Sequence, residues 1–230
     1  MNFILSRMSL SSPLIQAFCD HPDGLCGQHE PALIITQIPS IEERLSLLAF
    51  GIAADAGQSD SARWSALAQV HDHWLFNPSQ AAYKTSPQIQ EGFQQLGIKA
   101  PKHIARVWWQ ISRGVQGRAK GSWLALFDAN QKDALHMQNY LRDSATTFPV
   151  LSGPVLSARW LDLVHRAGGV KLANWESLRI SLPKEFKADA LLFGVGEDEV
   201  HPAVINAIQI WKRSCQRKAI PCGLTSCPNT

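Results

Sequence analysis

The sequence predicts a mostly helical protein. Apolar residues recur at helical spacing along most of the chain, whereas the alternation typical of strands occurs only at 32–38 and 177–182. Neither stretch is accompanied by a hairpin-type turn. The 230 residues are 45% hydrophobic and 18% charged, with eight Trp and nine Phe, which is the composition of a folded globular protein with material for a core.

Local signals place the helices along the chain. Ser40 followed by Glu43 is a capping pattern and predicts a helix that continues to about Ala54. Ser86-Pro87 predicts another helix start, and Gly97 predicts its end. The remaining helices of this part are predicted at about 60–76, 102–113, 123–127 and 133–141.

Three segments describe the expected domain organisation. Residues 1–40 are loop-rich, residues 41–200 form the helical domain, and residues 201–230 form a basic helix with a Cys-rich tail. No apolar run reaches the length of about 18 residues that a membrane helix needs. The first residues lack a secretory signal pattern, so we expect a cytoplasmic protein without a membrane partner.

Basic residues are segregated along the chain, although the net charge is only +3. Residues 92–127 contain six Lys and Arg residues and no acid, and residues 200–230 also lack acids. This distribution favours a surface that faces phosphates. The alternative is a solvated basic face with no partner.

Residues 147–163 carry the most specific pattern. They predict a helix, a tight turn and a second helix, because Gly153 permits a positive φ in the turn and Pro154 presets φ for the next helix. Exposed amides at such a turn can hold a phosphate without reading a base. The pattern Leu-Pro-x-Val-Gly-x-x-Thr-Ala is approached by Phe148-Pro149, Leu151, Gly153 and Ser157-Ala158.

On these residues the chain resembles the helix-hairpin-helix DNA glycosylase superfamily, the endonuclease III-like group. Three other stretches fit in order: Leu96-Gly97-Ile98 with Ala100-Pro101-Lys102, Gly168-Gly169-Val170 with Asn174-Trp175, and Cys215-x6-Cys222-x4-Cys227. The resemblance covers about 45–227 and implies a two-lobed helical domain with a hairpin and a Cys-rich C-terminal loop. It also implies hydrolysis of the N-glycosidic bond of a modified base that is flipped out of DNA.

The resemblance also suggests which residues contact DNA. The hairpin would supply Ser152, Gly153, Ser157 and Arg159, and the basic helix would supply Lys102 and Arg106. Trp109 on that helix could stack on an extruded base, with a place in the core as the alternative.

The chain departs from the family at its catalytic positions. Val155-Leu156 stands where bifunctional members carry a Lys, so Schiff-base lyase chemistry is not expected. The family's catalytic Asp aligns with Asn174, an amide that cannot serve as a base. Glu176 and Asp162 are the candidate carboxylates for stabilising the cationic sugar. The alternatives are a solvated acid at a helix start for Glu176 and a partner of Arg166 for Asp162.

Cysteines in the tail predict a metal site. The candidate ligands are Cys215, Cys222 and Cys227. His201 would complete a zinc site, whereas Cys19 or Cys26 would complete a four-thiolate iron–sulfur cluster. The alternative is a set of inert thiols. His71 and His73 fall in a predicted helix, where their rings would point apart, so both are predicted to be core or surface residues rather than ligands.

These observations predict a base-excision N-glycosylase-like hydrolase that binds DNA. Three alternatives remain open: a catalytically inactive DNA-binding module, an N-glycosidase that acts on a free modified nucleoside, and a helical interaction protein with a structural zinc knuckle. Salt-dependent binding to duplex DNA separates the last from the others, because neutralised phosphates release counterions.

Overall fold

The computed structural model describes residues 31–55, 61–98, 100–192, 195–196, 198–205 and 208–209. Their contacts divide the chain into a larger unit, residues 31–180, and a second unit whose described residues begin at Ser181. The sequence predicts a helical domain at 41–200. The larger unit begins ten residues before that range, at Pro31, and ends twenty residues before its end, at Ile180.

The described part of the chain is mostly helical, as predicted. In the larger unit the helices are α1 (Ile41–Asp55), α2 (Ser61–Gln69), α3 (Pro78–Ala81), α4 (Ser86–Gln95), α5 (Lys102–Ala119), α6 (Trp123–Ala129), α7 (Ala134–Asp143) and α8 (Pro154–Leu163). Short 3-10 helices occur at Pro31–Gln37, Trp74–Phe76 and Trp175–Ser177, and a π-helical turn occurs at Val164–Gly168.

The described residues of the second unit form little regular structure. They include α9 (Lys184–Leu192) and strand β2 (Glu199–Val200), which pairs with β1 (Ile180–Ser181). Nowhere in the described ranges is a helix both long enough and apolar enough to cross a bilayer.

Several helix ends lie at or next to the capping residues that predict them. The Ser40 hydroxyl accepts the N–H of Glu43 at 3.3 Å at the start of α1. Thr85, one residue before the predicted cap, forms a capping box with Gln88 at the start of α4. Gly97 adopts φ 67° after the end of that helix, a conformation that favours glycine.

Two local predictions were wrong. Most of 32–38 lies in the 3-10 helix Pro31–Gln37 rather than in a strand. Ala32, Ile35 and Ile38 are all buried, and their spacing of three residues matches the 3-10 turn better than the two-residue period of a strand. The helix predicted at about 60–76 ends at Gln69, and residues 70–73 form turns.

Aromatic side chains build the core of the larger unit around α1. Phe50 stacks on Phe93 with ring centroids 4.9 Å apart and meets the edge of Trp108 at 5.5 Å. Gly51 lies against the Trp64 ring, and a Cβ there would fall 2.1 Å from a ring carbon. Each fully buried aromatic side chain contributes on the order of 1.5–3 kcal/mol by burial, so this cluster is a substantial part of the core around α1.

Candidate nucleic-acid interface

Helices α7 and α8 pack against each other and are joined by residues 144–153, which we call the hairpin turn. Asp133 caps α7 by accepting the N–H groups of Leu135 and His136, each at 2.9 Å. The first helix was predicted to extend into 147–152, but those residues form turns. Pro149 explains the difference, because it has no N–H with which to continue a helix.

The conformation of the hairpin turn differs from the prediction at one residue. Gly153 has φ −68° and ψ 139°, whereas Val150 has the positive φ, at 71°. The reason is that Gly153 is the N-cap of α8, a position that takes extended backbone, with Pro154 as the first helical residue. Inside the turn, the N–H groups of Ser152 and Gly153 donate to Phe148 and Val150 carbonyls at 3.1 and 3.2 Å.

The start of α8 offers amides to the outside of the protein. No side chain caps this helix, so the amides of its first turn, at Val155 and Leu156, have no intrahelical partner. Val155 is 40% exposed and the adjoining Gly153 is half-buried. A helix start of this kind is electrostatically suited to a phosphate.

Two other predicted hairpin contacts lie deeper. Ser157 is buried, and its hydroxyl donates to the Pro154 carbonyl at 3.2 Å and accepts from Gln138 of α7 at 3.3 Å. Ser157 therefore fastens α8 to α7. Arg159 is half-buried on α8, and Ser152 is half-buried in the hairpin turn.

Exposed basic side chains form one stripe along α5. Lys102, Arg106 and Arg113 are exposed and spaced four and seven residues apart, so they lie on the same side of the helix; we call them the basic stripe. Trp109 lies half-buried beside them, with the Arg113 guanidinium 4.9 Å from its ring centroid. Its indole N–H donates to the Lys84 carbonyl at 2.7 Å.

The neighbouring tryptophan has a different position. Trp108 is fully buried, and its indole N–H donates to the Leu75 carbonyl at 2.7 Å. Of the two adjacent rings, Trp108 belongs to the core and Trp109 remains partly accessible.

Gly114 of α5 brings the hairpin turn against this helix. A Cβ at Gly114 would lie 2.5 Å from a Thr147 methyl carbon and 3.1 Å from the Phe148 ring. Sequence reasoning missed Gly114, although a lone glycine within a helical pattern is a signal of close approach. The consequence is that the two elements predicted to contact DNA are packed directly against each other.

Asp162 is the most strongly engaged of the candidate carboxylates. It is buried on α8, and Arg166 donates to both of its oxygens, from Nε at 3.1 Å and from Nη2. The Trp175 indole N–H donates to the same carboxylate at 3.1 Å. The alternative expected from the sequence, a pairing with Arg166, is therefore what the structure contains.

Asn174 ties the loop after the π-helical turn to the start of α7. Its side-chain amide donates to the Asp133 carboxylate, and the Ala134 N–H donates to the Ala173 carbonyl at 2.9 Å. Burial acts to raise the pKa of Asp133. The His136 N–H, the Asn174 amide and the Leu135 N–H outweigh burial and hold this pKa below its usual value.

Glu176 is half-buried in the 3-10 helix that follows Asn174, and no hydrogen bond to its carboxylate is found among the described residues. Nearby, the His165 ring stacks on Trp175 with centroids 4.4 Å apart, and its Nδ1 accepts the Leu172 N–H at 3.1 Å. Burial, followed by the charge of Lys171, lowers the pKa of His165. Of the two candidate carboxylates, Glu176 is thus the one without a hydrogen-bond partner among the described residues.

The predicted metal site falls mainly outside the described residues, which include none of Cys19, Cys26, Cys215, Cys222 and Cys227. His201 is described and buried in the second unit, and its Nδ1 accepts the Ala203 N–H at 3.2 Å as a helix cap. Within the described residues, no group of three or more His, Cys, Asp or Glu side chains could hold a metal ion.

Comparison with known proteins found no relative. No protein-family model, no curated protein and no solved structure matches this chain.

Proposed function

We propose that this protein binds duplex DNA through the start of α8, the hairpin turn and the basic stripe. The observation that carries the proposal is the contact at Gly114, which places the hairpin turn against the helix that bears Lys102, Arg106 and Arg113. Amides at a helix start position a phosphate, and the cations add sequence-independent attraction. The family resemblance implies the same partner.

Binding of a fluorescein-labelled duplex, followed by anisotropy between 50 and 200 mM salt, tests this proposal. Replacing both Lys102 and Arg106 by Gln should flatten the slope of log K against log salt by about 1.8, since each phosphate contact contributes about 0.9. Lys132→Gln is the control, because Lys132 is also exposed but pairs with Asp128 at 2.9 Å outside this surface. Equal slopes in all three proteins would contradict the assignment.

We further propose that the bound DNA is a substrate for hydrolysis of an N-glycosidic bond, with Glu176 as the carboxylate that stabilises the developing positive charge on the sugar. Its support is the absence of a described partner for that carboxylate, in contrast to Asp162. Base release from duplexes carrying single modified bases would detect the reaction, and Glu176→Gln should abolish it. A detected activity that survives Glu176→Gln would remove Glu176 from this role.

The hydrogen bonds that Asp162 and Asn174 already make within the protein favour a second candidate, a DNA-binding module without catalysis. Asp162 is held by Arg166 and Trp175, and Asn174 is held by Asp133. In that case salt-dependent binding persists while no oligonucleotide in the panel loses a base. Release of base from free nucleosides but not from duplexes would instead indicate a nucleoside N-glycosidase.

A metal bound by Cys215, Cys222 and Cys227 with His201 or another thiolate remains part of the proposal. Elemental analysis and the visible spectrum of the purified chain distinguish the two candidate groups, since an iron–sulfur cluster is coloured and zinc is not. A chain free of both elements would contradict this part of the proposal and leave the DNA proposal untouched.

A further inference from the structure

The larger unit contains a polar pocket of about 310 Å³, which we call the Glu43–His71 pocket. Its wall includes the start of α1, the turn at 71–73, the start of α3 and the junction between α5 and α6. Its volume is at the lower end of the range for small-molecule sites. None of its lining residues belongs to the hairpin turn or the basic stripe.

The carboxylates of α1 that line this pocket already have donors. Glu42 accepts the Ser122 hydroxyl at 2.5 Å and the N–H groups of Trp123 and Leu124 at 2.8 and 3.1 Å. Glu43 pairs with Nδ1 of His71 at 2.5 Å. Both carboxylates therefore already accept hydrogen bonds within the protein.

Other acceptors of the pocket are also used. His73 accepts the Leu75 N–H at Nδ1, 3.3 Å away, and the Asn77 side-chain oxygen accepts the Ser79 N–H at 2.9 Å. Acceptance at Nδ1 fixes the neutral His73 ring as the tautomer with its proton on Nε2. The ring therefore retains a donor.

Three of the groups that remain can donate. No described residue hydrogen-bonds to Nε2 of His73, the Lys120 ammonium or the Ser79 hydroxyl, although all three residues line the pocket. The Glu43 carboxylate accepts from Nδ1 of His71 and orients this ring in the pocket wall. Asp72 is exposed and is the one lining acid without a described donor.

Backbone geometry holds Lys120 in this wall. Lys120 ends α5 in the left-handed conformation with φ 52°, and Gly121 follows with φ 83°. A Cβ at Gly121 would lie 1.9 Å from the Ser79 hydroxyl oxygen, so only glycine lets the two segments approach this closely. The backbone of Lys120 is thus held by a turn that contacts the opposite wall.

We infer that the Glu43–His71 pocket binds a small oxyanion that carries a phosphoryl group, either inorganic phosphate or the terminal phosphate of a phosphomonoester. Unsatisfied donors on His73, Lys120 and Ser79 match the acceptor oxygens of such a group. The site is separate from the DNA surface, and the inference does not depend on the proposed function.

Isothermal titration calorimetry of the full chain with inorganic phosphate, at constant ionic strength, tests the inference. Lys120→Gly should weaken binding about tenfold, because a charged hydrogen bond is lost. Glycine is favoured at φ 52°, so this change does not strain the fold. Lys132→Gly is the matched control, since Lys132 is also an exposed lysine with positive φ, 50°, and does not line the pocket.

A second variant tests the sign of the ligand charge. Asp72→Asn removes the exposed acid and should tighten phosphate binding about twofold, as expected for an exposed charge. A cation-binding pocket would show the opposite change. The inference is overturned if wild type shows no saturable binding, if Lys120→Gly and Lys132→Gly behave alike, or if Lys102→Gln rather than Lys120→Gly abolishes binding.

Parallel titrations with ribose 5-phosphate identify the source of the phosphoryl group. Saturable binding that is sensitive to Lys120→Gly would indicate that the pocket accepts the end of a phosphomonoester. Binding of inorganic phosphate alone would assign the pocket to the free anion. Since DNA binding is measured with other variants, failure of either proposal leaves the other standing.

Discussion

Two carboxylate–arginine pairs in the larger unit have the same chemistry but differ in their exposure to solvent. Asp162 and Arg166 lie one helical turn apart, with side chains 2% and 24% exposed. Arg142 and Asp143 are adjacent at the end of α7, with side chains 67% and 72% exposed. The first pair is fixed by a third donor from Trp175, whereas the second is solvated. The difference predicts that the first pair contributes more to the stability of the fold than the second.

The largest expected effect is on the buried pair. Asp162→Asn keeps the shape of the side chain but leaves the Arg166 charge poorly paired, so we expect a loss of about 3 kcal/mol in the free energy of unfolding. Asp143→Asn should change it by less than about 0.5 kcal/mol, because the pair is exposed. Urea unfolding of both variants measures the contrast. Equal losses would mean that burial does not distinguish the two pairs.

Asn174 tests whether a second polar contact is structural or catalytic, because the family resemblance aligns a catalytic Asp with this position. Asn174→Asp would set a second carboxylate beside Asp133, where the amide now donates. We expect a loss of about 2 kcal/mol at neutral pH, from the lost hydrogen bond and like-charge repulsion. We also expect no gain of base release. Asn139→Asp, an exposed change on α7, is the control. Activity gained without a loss of stability would contradict the structural role of Asn174.

The sequence predicts those features that depend only on residues a few positions apart. Ser40 and Gly97 marked helix ends as expected, because capping and the left-handed conformation are local. Asp162 pairs with Arg166 four residues later, which helical spacing alone suggests. Such features need no knowledge of the tertiary fold.

Other features could not be predicted because they join distant segments. His71 meets Glu43 across 28 residues, and Glu42 reaches the start of α6 across about 80. The contact at Gly114 depends on how the hairpin turn packs. His71 and His73 were expected on a helix with their rings apart, yet both line one pocket, because α2 ends at Gln69. A pattern confined to neighbouring residues contains none of these contacts.

For the exposed start of α8 we predict a loss of DNA binding without a loss of stability. Gly153 has ordinary φ, and a Cβ there would meet only the Val150 carbonyl at 3.4 Å, so Gly153→Ala should fold normally. The methyl group would stand beside the amides of α8 and weaken duplex binding about tenfold. Anisotropy and thermal unfolding check both halves.

Gly196→Ala is the control for that change, since nothing lies within 4 Å of a Cβ at Gly196. If Gly153→Ala binds duplex DNA as tightly as wild type does, the start of α8 is not a phosphate contact. If it binds weakly only because it unfolds, the thermal transition will reveal it.

The smallest effect is expected at His165, whose side chain is less buried than Asp162 and less exposed than Asp143. Burial and then Lys171 lower its pKa, while Asp162, the Leu172 N–H and Glu176 act in the opposite direction. Because the folded pKa lies below the usual value of 6.5, the unfolded chain takes up this proton first. The contribution of His165 to stability is therefore complete above pH 6.5 and falls as pH drops through the folded pKa. NMR titration of the ring should show a midpoint below 6.5 that rises in Lys171→Gln, whereas an unchanged midpoint would mean that burial alone sets the pKa.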